Sequence, residues 1–294
     1  MQDALSERMQ EREALLAELE KGGYLTDPRL EVAMLAVPRH LFVPKELREN
    51  AYEDRPLPIP FGQTISAPHM VAMMSTALQL EPGQRVLEIG TGVGYHAAIV
   101  KQLVGPAGRV ISLEFLPELA DIARQNLRSA RIDVEVHAAD GAKGWPGGAP
   151  YDAIYVTCAI PAVPQVLADQ LREGGHFVAP IGITRCQLLA GRKVDGILRL
   201  DDLGPCLFVN AQGDLGGTDG DDGRGPRGGA GTGPGEPGPG TSGAGGPGSG
   251  AGGGAGGSGG SGGGAGGRGG SGGGQGGPGA GHGKRKEIDA PTPN

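Results

Sequence analysis

Chemistry is most legible where the apolar run Arg85-Val86-Leu87-Glu88-Ile89 gives way to Gly90-Thr91-Gly92-Val93-Gly94. Glycines at alternate positions let the backbone turn sharply and approach a ligand with no Cβ in the way. The spacing is G-x-G-x-G rather than the G-x-G-x-x-G of dinucleotide folds, and the Lys and Ser/Thr of a Walker loop are missing. Two further acids narrow the ligand. Glu114 closes the next apolar run, where a carboxylate can take both hydroxyls of a ribose. Asp140-Gly141 closes the run after that, where a carboxylate or backbone group can read an adenine amino group. Together with Glu88, these acids at successive strand ends favour an adenosine ligand that lacks a pyrophosphate. That points to S-adenosylmethionine rather than NAD. The plain alternatives are a tight turn without a ligand for the glycines and a solvated loop charge for each acid.

These positions need a scaffold, and the pattern supplies one. From Gln84 onward short apolar runs alternate with helical stretches: strands over 85–89, 109–114, 133–138, 151–156 and 176–180, and helices over 95–103, 117–129 and 164–171. Gly174-Gly175 reads as the stop of the last helix. A late pair of strands is expected over 187–192 and 197–200, with 207–210 as an added edge. Such alternation predicts an α/β fold with a parallel, doubly wound sheet, whose ligands sit at the carboxyl ends of the strands. Upstream, 4–20 reads as a helix, and Asp27-Pro28 opens a second short one that Pro38 ends, with Val32, Leu35 and Ala36 on its apolar face. The proline-punctuated stretch 43–67 argues against regular helix, and Pro68 opens another helix to about Leu80.

The segment between those helices and the sheet is the more specific signal. Val37-Pro38-Arg39, Phe42-Val43-Pro44, Tyr52 and the block Gly62-Gln63-Thr64-Ile65-Ser66-Ala67-Pro68-His69-Met70 precede Val86 to Tyr95, Asp140-Gly141 and Gly144-Trp145. In these residues the chain strongly resembles the protein-L-isoaspartate (D-aspartate) O-methyltransferase family, closely over about 31–182 and less so after Gln187. The resemblance implies a class I S-adenosylmethionine-dependent methyltransferase fold, Rossmann-like, with an added N-terminal helical region. It implies methyl transfer from S-adenosyl-L-methionine to the free carboxylate of L-isoaspartyl, and less well D-aspartyl, residues of damaged proteins or peptides. The ester then cyclises to a succinimide that reopens in part to aspartate. Ser66 matches the family's active-site serine, with Thr64 competing for the same work. Gln63, Thr64, Ile65, Ser66 and His69 match the segment over the methyl donor, and Glu88, Gly90, Thr91, Gly92, Gly94, Glu114, Asp140 and Gly141 match positions around it.

The chemistry suits these residue types. A carboxylate with a pKa near ~4 is already ionised at neutral pH and needs no general base. The enzyme must bring oxygen and methyl into line at about 3 Å and exclude water. A hydroxyl such as Ser66 can orient the substrate carboxylate through one hydrogen bond; it could equally cap the helix that Pro68 opens. A hydrolase triad of Ser66, His69 and Asp54 is disfavoured, because no G-x-S-x-G elbow is present. Tyr52 is a candidate for closing the substrate site, the methionines at 70, 73 and 74 read as core, and packing is the default role of Trp145. Two other readings compete: an aspartate methyltransferase that forms an aspartimide on one defined ribosomal peptide, and a non-catalytic cofactor-binding scaffold. The first is motivated by the run Pro205-Cys206-Leu207-Phe208-Val209, where the family commonly has a V-P-L-like sequence.

Composition bounds the rest. Of 59 glycines, 40 fall in 211–294, a stretch with no Val, Phe, Tyr or Trp, so it cannot bury enough apolar surface to offset ordering. The expected organisation is therefore an N-terminal helical and covering region over 1–80, a methyltransferase core over 81–210 and a disordered glycine-rich tail over 211–294. The net charge of −7 with no basic stripe argues against a nucleic-acid partner. Six scattered histidines give no metal-ligand spacing, and no metal is expected. Three widely spaced cysteines, Cys158, Cys186 and Cys206, signal neither a zinc site nor a disulfide framework. A charged N-terminus and the lack of a run of ~20 apolar residues lead to the expectation of a cytoplasmic monomer off the membrane.

Overall fold

A computed structural model describes residues 7–216 of the 294-residue chain. The expected helix start at Ala4 and the disorder expected beyond 216 lie outside the described residues.

Helix α1 (Met9–Lys21) buries Leu15, Leu16 and Leu19, with Arg12 on the same stripe. Its guanidinium donates to the Tyr52 hydroxyl at 3.1 Å and to the Leu35 carbonyl at 3.1 Å. Helix α2 (Pro28–Ala36) starts as the sequence dictates. Pro28 sits in its first turn, and Asp27 accepts the Arg29 amide proton at 2.8 Å. The expected apolar face is corrected: Leu30, Ala33 and Met34 are buried, whereas Val32 is 68 % exposed. Nine residues hold too few turns for periodicity to fix the rotation of a helix against its neighbour.

Residues 43–67 form no α-helix. They give a 3₁₀ turn and an antiparallel hairpin, β1 (Leu57–Ile59) with β2 (Gln63–Ile65), whose turn sets Phe61 and Gly62 at φ of 63° and 68°. Helix α3 (Pro68–Ala77) follows at once. The sheet then builds through β3 (Arg85–Ile89), α4 (Tyr95–Val104), β4 (Arg109–Glu114), α5 (Pro117–Ala130), β5 (Glu135–Ala138), β6 (Tyr151–Val156), α6 (Gln165–Gln170), β7 (Leu171–Ile181), β8 (Cys186–Val194) and β9 (Ile197–Cys206).

The strand order is β5-β4-β3-β6-β7-β8-β9. The chain leaves β3 toward β4 on one side and returns to β6 on the other, so the switch point lies at the end of β3. Pairing is parallel from β5 to β7 and antiparallel on to β8 and β9. Only Asp195 and Gly196, at φ of 55° and 77°, join β8 to β9, and a two-residue turn can make nothing but an antiparallel pair.

Three boundaries differ from expectation. Helix α6 ends at Gln170, and Gly174-Gly175 lie inside β7, where the β6 register jumps from Tyr151↔Leu171 to Ala153↔His176. The glycines form a strand irregularity, not a helix stop. Residues 207–210 form no edge strand; they turn across the strand ends, where Asn210 pairs in parallel with Ala159. Residues 211–216 are structured, with a 3₁₀ turn over Gly213–Gly216 and Leu215 buried.

The N-terminal helices share one apolar cluster with the sheet's helices: Leu16, Leu19, Leu30 and Phe42 lie with Tyr95, Ile99, Leu119 and Leu127. Each such fully buried side chain stabilises the fold by about 1.5–3 kcal/mol, so the helical region and the sheet stand together. Among the described residues no helix is long and apolar enough to cross a membrane.

Candidate active site

A cleft opens at the carboxyl ends of β3, β4 and β6. One wall is the loop Gly90–Val93. A second side is formed by Gln63, Thr64 and Ile65 of the β1–β2 hairpin and by Ser66 just after it. Glu114, Phe115, Leu116 and Gly141 close one end, Thr157 and Cys158 the floor, and Val209 to Gln212 with Leu215 a further side.

The loop is held by its backbone. The amides of Gly90 and Thr91 donate to the Leu113 carbonyl at 2.8 and 3.2 Å, and the Thr157 amide donates to the Ile89 carbonyl at 2.9 Å. Gly90 has φ +97°, and a Cβ there would lie 2.4 Å from Thr157 Oγ1, so only glycine fits. Gly92, at φ +57°, would set a Cβ 3.8 Å from Ile59 of the hairpin, facing the cleft. Gly94 serves packing instead: a Cβ there would meet Leu127 at 3.2 Å, and the residue heads α4.

Of the acids, Glu114 lines the cleft. Its Oε2 accepts the Gly92 amide proton at 2.7 Å and its Oε1 the Leu116 amide proton at 3.1 Å. Burial raises its pKa while these backbone donors pull it down. Each oxygen keeps a lone pair that a diol could use. Glu88 does not line the cleft. It is fully buried beneath the loop, accepts from the Ser112 hydroxyl, and burial pushes its pKa up to about 8. Asp140 also stands behind the wall. It caps the turn after β5 through the Ala142 amide at 2.9 Å and holds the Asp214 amide at 2.8 Å. His69 sits outside the cleft, where its Nδ1 and its backbone amide both meet Asp54 at 2.9 Å.

Ser66 is not the cap of α3. The N-cap position is Ala67, which offers no side-chain bond, and Asp54 reaches in from the preceding segment to accept the His69 amide proton. The Ser66 hydroxyl is thus left to the cleft, beside exposed Thr64. Tyr52 does not close the site; it is tied to Arg12 and, at 2.7 Å, to His40 Nδ1 in the N-terminal region. Trp145 stacks on His137 at 4.1 Å, and Met74 is core.

Sequence reasoning missed Phe115, Leu116, Thr157, Cys158 and the stretch 209–215. The first four follow strand ends directly, which is the signal that could have found them. The last was cut off by the glycine count, which places the compositional border at 210. Cys158 is half-buried, and burial pushes its thiol up to about 12, away from the thiolate form. Among the described residues no cluster of His, Cys, Asp and Glu could hold a metal ion.

The arrangement suits a nucleoside-bearing ligand: a glycine cradle, a carboxylate at the second strand end and an apolar slot between Leu113, Phe115 and Leu116. The sequence profile of the family described as Protein-L-isoaspartate(D-aspartate) O-methyltransferase (PCMT) matches residues 10–216. The chain is 51 % identical over 209 residues to the protein-L-isoaspartate O-methyltransferase of Methanopyrus kandleri, covering 70 % of this chain and 92 % of that one. It is 48 % identical over 216 residues to the enzyme of that name from Hyperthermus butylicus, covering 70 % and 90 %. Among solved structures, a protein-L-isoaspartate O-methyltransferase aligns at 33 % identity with a TM-score of 0.64, covering 70 % of this chain and 67 % of that one. Another from Plasmodium falciparum, in complex with S-adenosyl-L-homocysteine, aligns at 26 % identity with a TM-score of 0.61, covering 68 % and 98 %.

Proposed function

The chain belongs to the protein-L-isoaspartate (D-aspartate) O-methyltransferase family, and from that premise we propose how its cleft does the family's work. It is a methyltransferase that uses S-adenosyl-L-methionine and methylates isoaspartyl residues of proteins in their repair.

One observation carries the assignment of roles. Thr64 of the hairpin, Ser66 just after it and the Gly90–Gly92 loop line a single cleft. The Gly90, Thr91 and Gly92 backbone would hold the donor, Glu114 would take its ribose hydroxyls, and Gly141 would stand on the adenine side. When bound, the donor supplies a methyl group on a positively charged sulfur. The substrate carboxylate arrives ionised, so no residue need remove a proton. Ser66 donates one hydrogen bond to that carboxylate and aims its other oxygen, with Thr64 beside it. Gln63 to Ser66 cover the donor and exclude water, which strengthens each polar contact inside. Phe61, 51 % exposed at the hairpin tip, offers an incoming peptide an apolar rim.

Glu88, Gly94, Asp140 and His69 are read as supports: they hold the loop, the helix start, the C-terminal wall and the hairpin exit. Action as a monomer is part of this reading, and gel filtration checks it. Cytoplasmic placement is read from the odd set of three thiols and is checked by fractionation. To test the function, purified protein with labelled S-adenosylmethionine is offered an isoaspartyl peptide and its normal aspartyl twin. Label on the isoaspartyl peptide alone is the expected result; label on neither overturns the reading.

A further inference from the structure

Beneath the glycine loop lies a buried chain of hydroxyls that the roles above do not use. Thr91 Oγ1 lies 2.5 Å from Ser112 Oγ, and Ser112 in turn donates to Glu88 Oε2. Glu88 and Ser112 are fully buried and Thr91 nearly so, yet Thr91 lines the cleft. When Glu88 is ionised it can only accept, so the Ser112 proton is committed to it and Thr91 donates to Ser112. Thr91 then has only lone pairs to offer a ligand. A carboxylate sealed within the sheet is therefore connected to the cleft by two hydrogen bonds, and in a dry interior its charge acts over such a distance with little screening. We propose that Glu88 is a positioning residue whose carboxylate, acting through Ser112 and Thr91, favours the cationic sulfonium donor over the uncharged thioether product.

The inference rests on the reading of the cleft as the S-adenosylmethionine site. It gives the relay a purpose: once the methyl group leaves, the positive charge that Glu88 favours is gone, and with it this contribution to binding. The groups facing Glu88 are Ser112 and Glu114 on β4, Tyr155 on β6 and, tilted against the Tyr155 ring at 4.6 Å, His96 on α4. His96 stays neutral because burial pushes its pKa down to about 3, and Tyr155 is pushed well above its ordinary value. With Glu88 titrating at about 8, its charge, and with it the preference, grows as pH rises through that value.

The test is titration calorimetry with S-adenosylmethionine and S-adenosylhomocysteine from pH 6.5 to 9, on the wild type, Glu88→Gln and Ser112→Ala. The α-amino group common to both ligands cancels in the ratio of their affinities. In the wild type that ratio is expected to rise about tenfold in favour of the sulfonium ligand across this range. It should be flat in Glu88→Gln and blunted in Ser112→Ala, which keeps the carboxylate but breaks the relay. A ratio independent of pH in the wild type overturns the proposal. So does a pH dependence that persists in Glu88→Gln, which assigns the effect to Glu114, and so does equal weakening of both ligands in both variants, which marks damage to the loop. If Glu88→Gln does not fold, the wild-type profile and Ser112→Ala decide. Failure of either ligand to bind the wild type overturns the reading of the cleft itself.

Discussion

Asp54 caps the helix that carries His69. Its Oδ1 accepts the His69 backbone amide proton at 2.9 Å while the same carboxylate meets His69 Nδ1. The helix therefore borrows its cap from a residue fifteen positions upstream, and Ser66, three positions before His69, is spared that duty. Asp54→Ala should cost about 1 kcal/mol of stability, the worth of a helix cap, and lower kcat/KM by loosening the hairpin exit. Asp54→Asn, which can still accept from the amide, should recover most of the melting temperature. Thermal unfolding of both variants checks this.

Ser66→Ala removes a single hydrogen bond to a charged group, worth about 1.5–3 kcal/mol. Turnover of an isoaspartyl peptide should fall by about 10- to 100-fold, with donor affinity almost unchanged. Thr64→Ala should cost less. Loss of donor affinity in Ser66→Ala, read by calorimetry, would reassign the residue to the donor site.

Gly90 and Gly92 should respond differently to alanine. At Gly90 the new methyl meets Thr157 Oγ1 at 2.4 Å on a backbone at φ +97°, so both stability and donor binding should suffer. At Gly92 no atom lies nearer than 3.8 Å, so the fold should survive a strain of about 1 kcal/mol while the methyl intrudes on the cleft. Melting temperature and donor Kd, measured on both variants, separate the two.

Residues 211–216 are the wall that Asp140 holds. A chain ended at Asn210 should bind the donor more weakly than one ended at Gly216. Asp140→Ala, which releases the Asp214 amide, should raise hydrogen exchange over 209–216 and weaken the donor. Equal donor affinity in the two truncations would remove this segment from the site.

Glu88 also makes a prediction for stability. Its folded pKa of about 8 stands above the usual 4.5, so between those values the folded state holds a proton that the unfolded state has lost. This group's contribution therefore falls as pH rises from about 4.5 to about 8, with a limiting slope of ~1.4 kcal/mol per pH unit. Glu88→Gln should flatten that part of the profile and be the more stable protein at pH 8. Urea unfolding at several pH values reads the difference.

The glycine loop, the strand ends with their acids and the Gln63–Ser66 block were legible because each is a local pattern. A strand that ends in three alternate glycines has few other uses, and Glu114 follows its own apolar run directly. What was not legible is how far along the sheet each group stands. Glu88 and Glu114 are both acids at or near strand ends and share a face of the sheet, because Glu88 is in register with Ser112 and Glu114 lies two residues further on; that step leaves Glu88 buried beneath the glycine loop and brings Glu114 to the cleft. The rotation of α2 was open for a related reason: its neighbours, not its nine residues, choose the buried face.

The sequence by itself determined the family, the alternation of strands and helices, and the residues among which the chemistry must be found. Only the tertiary structure decided how they divide. Asp54 approaches His69, Asp140 reaches Asp214, and Ser112 joins Glu88 to Thr91 across gaps of 15, 74 and 24 residues. Chain spacing carries no signal of such contacts. They form because sheet pairing and burial bring distant polar groups together, and a buried group must take whatever partner the fold supplies.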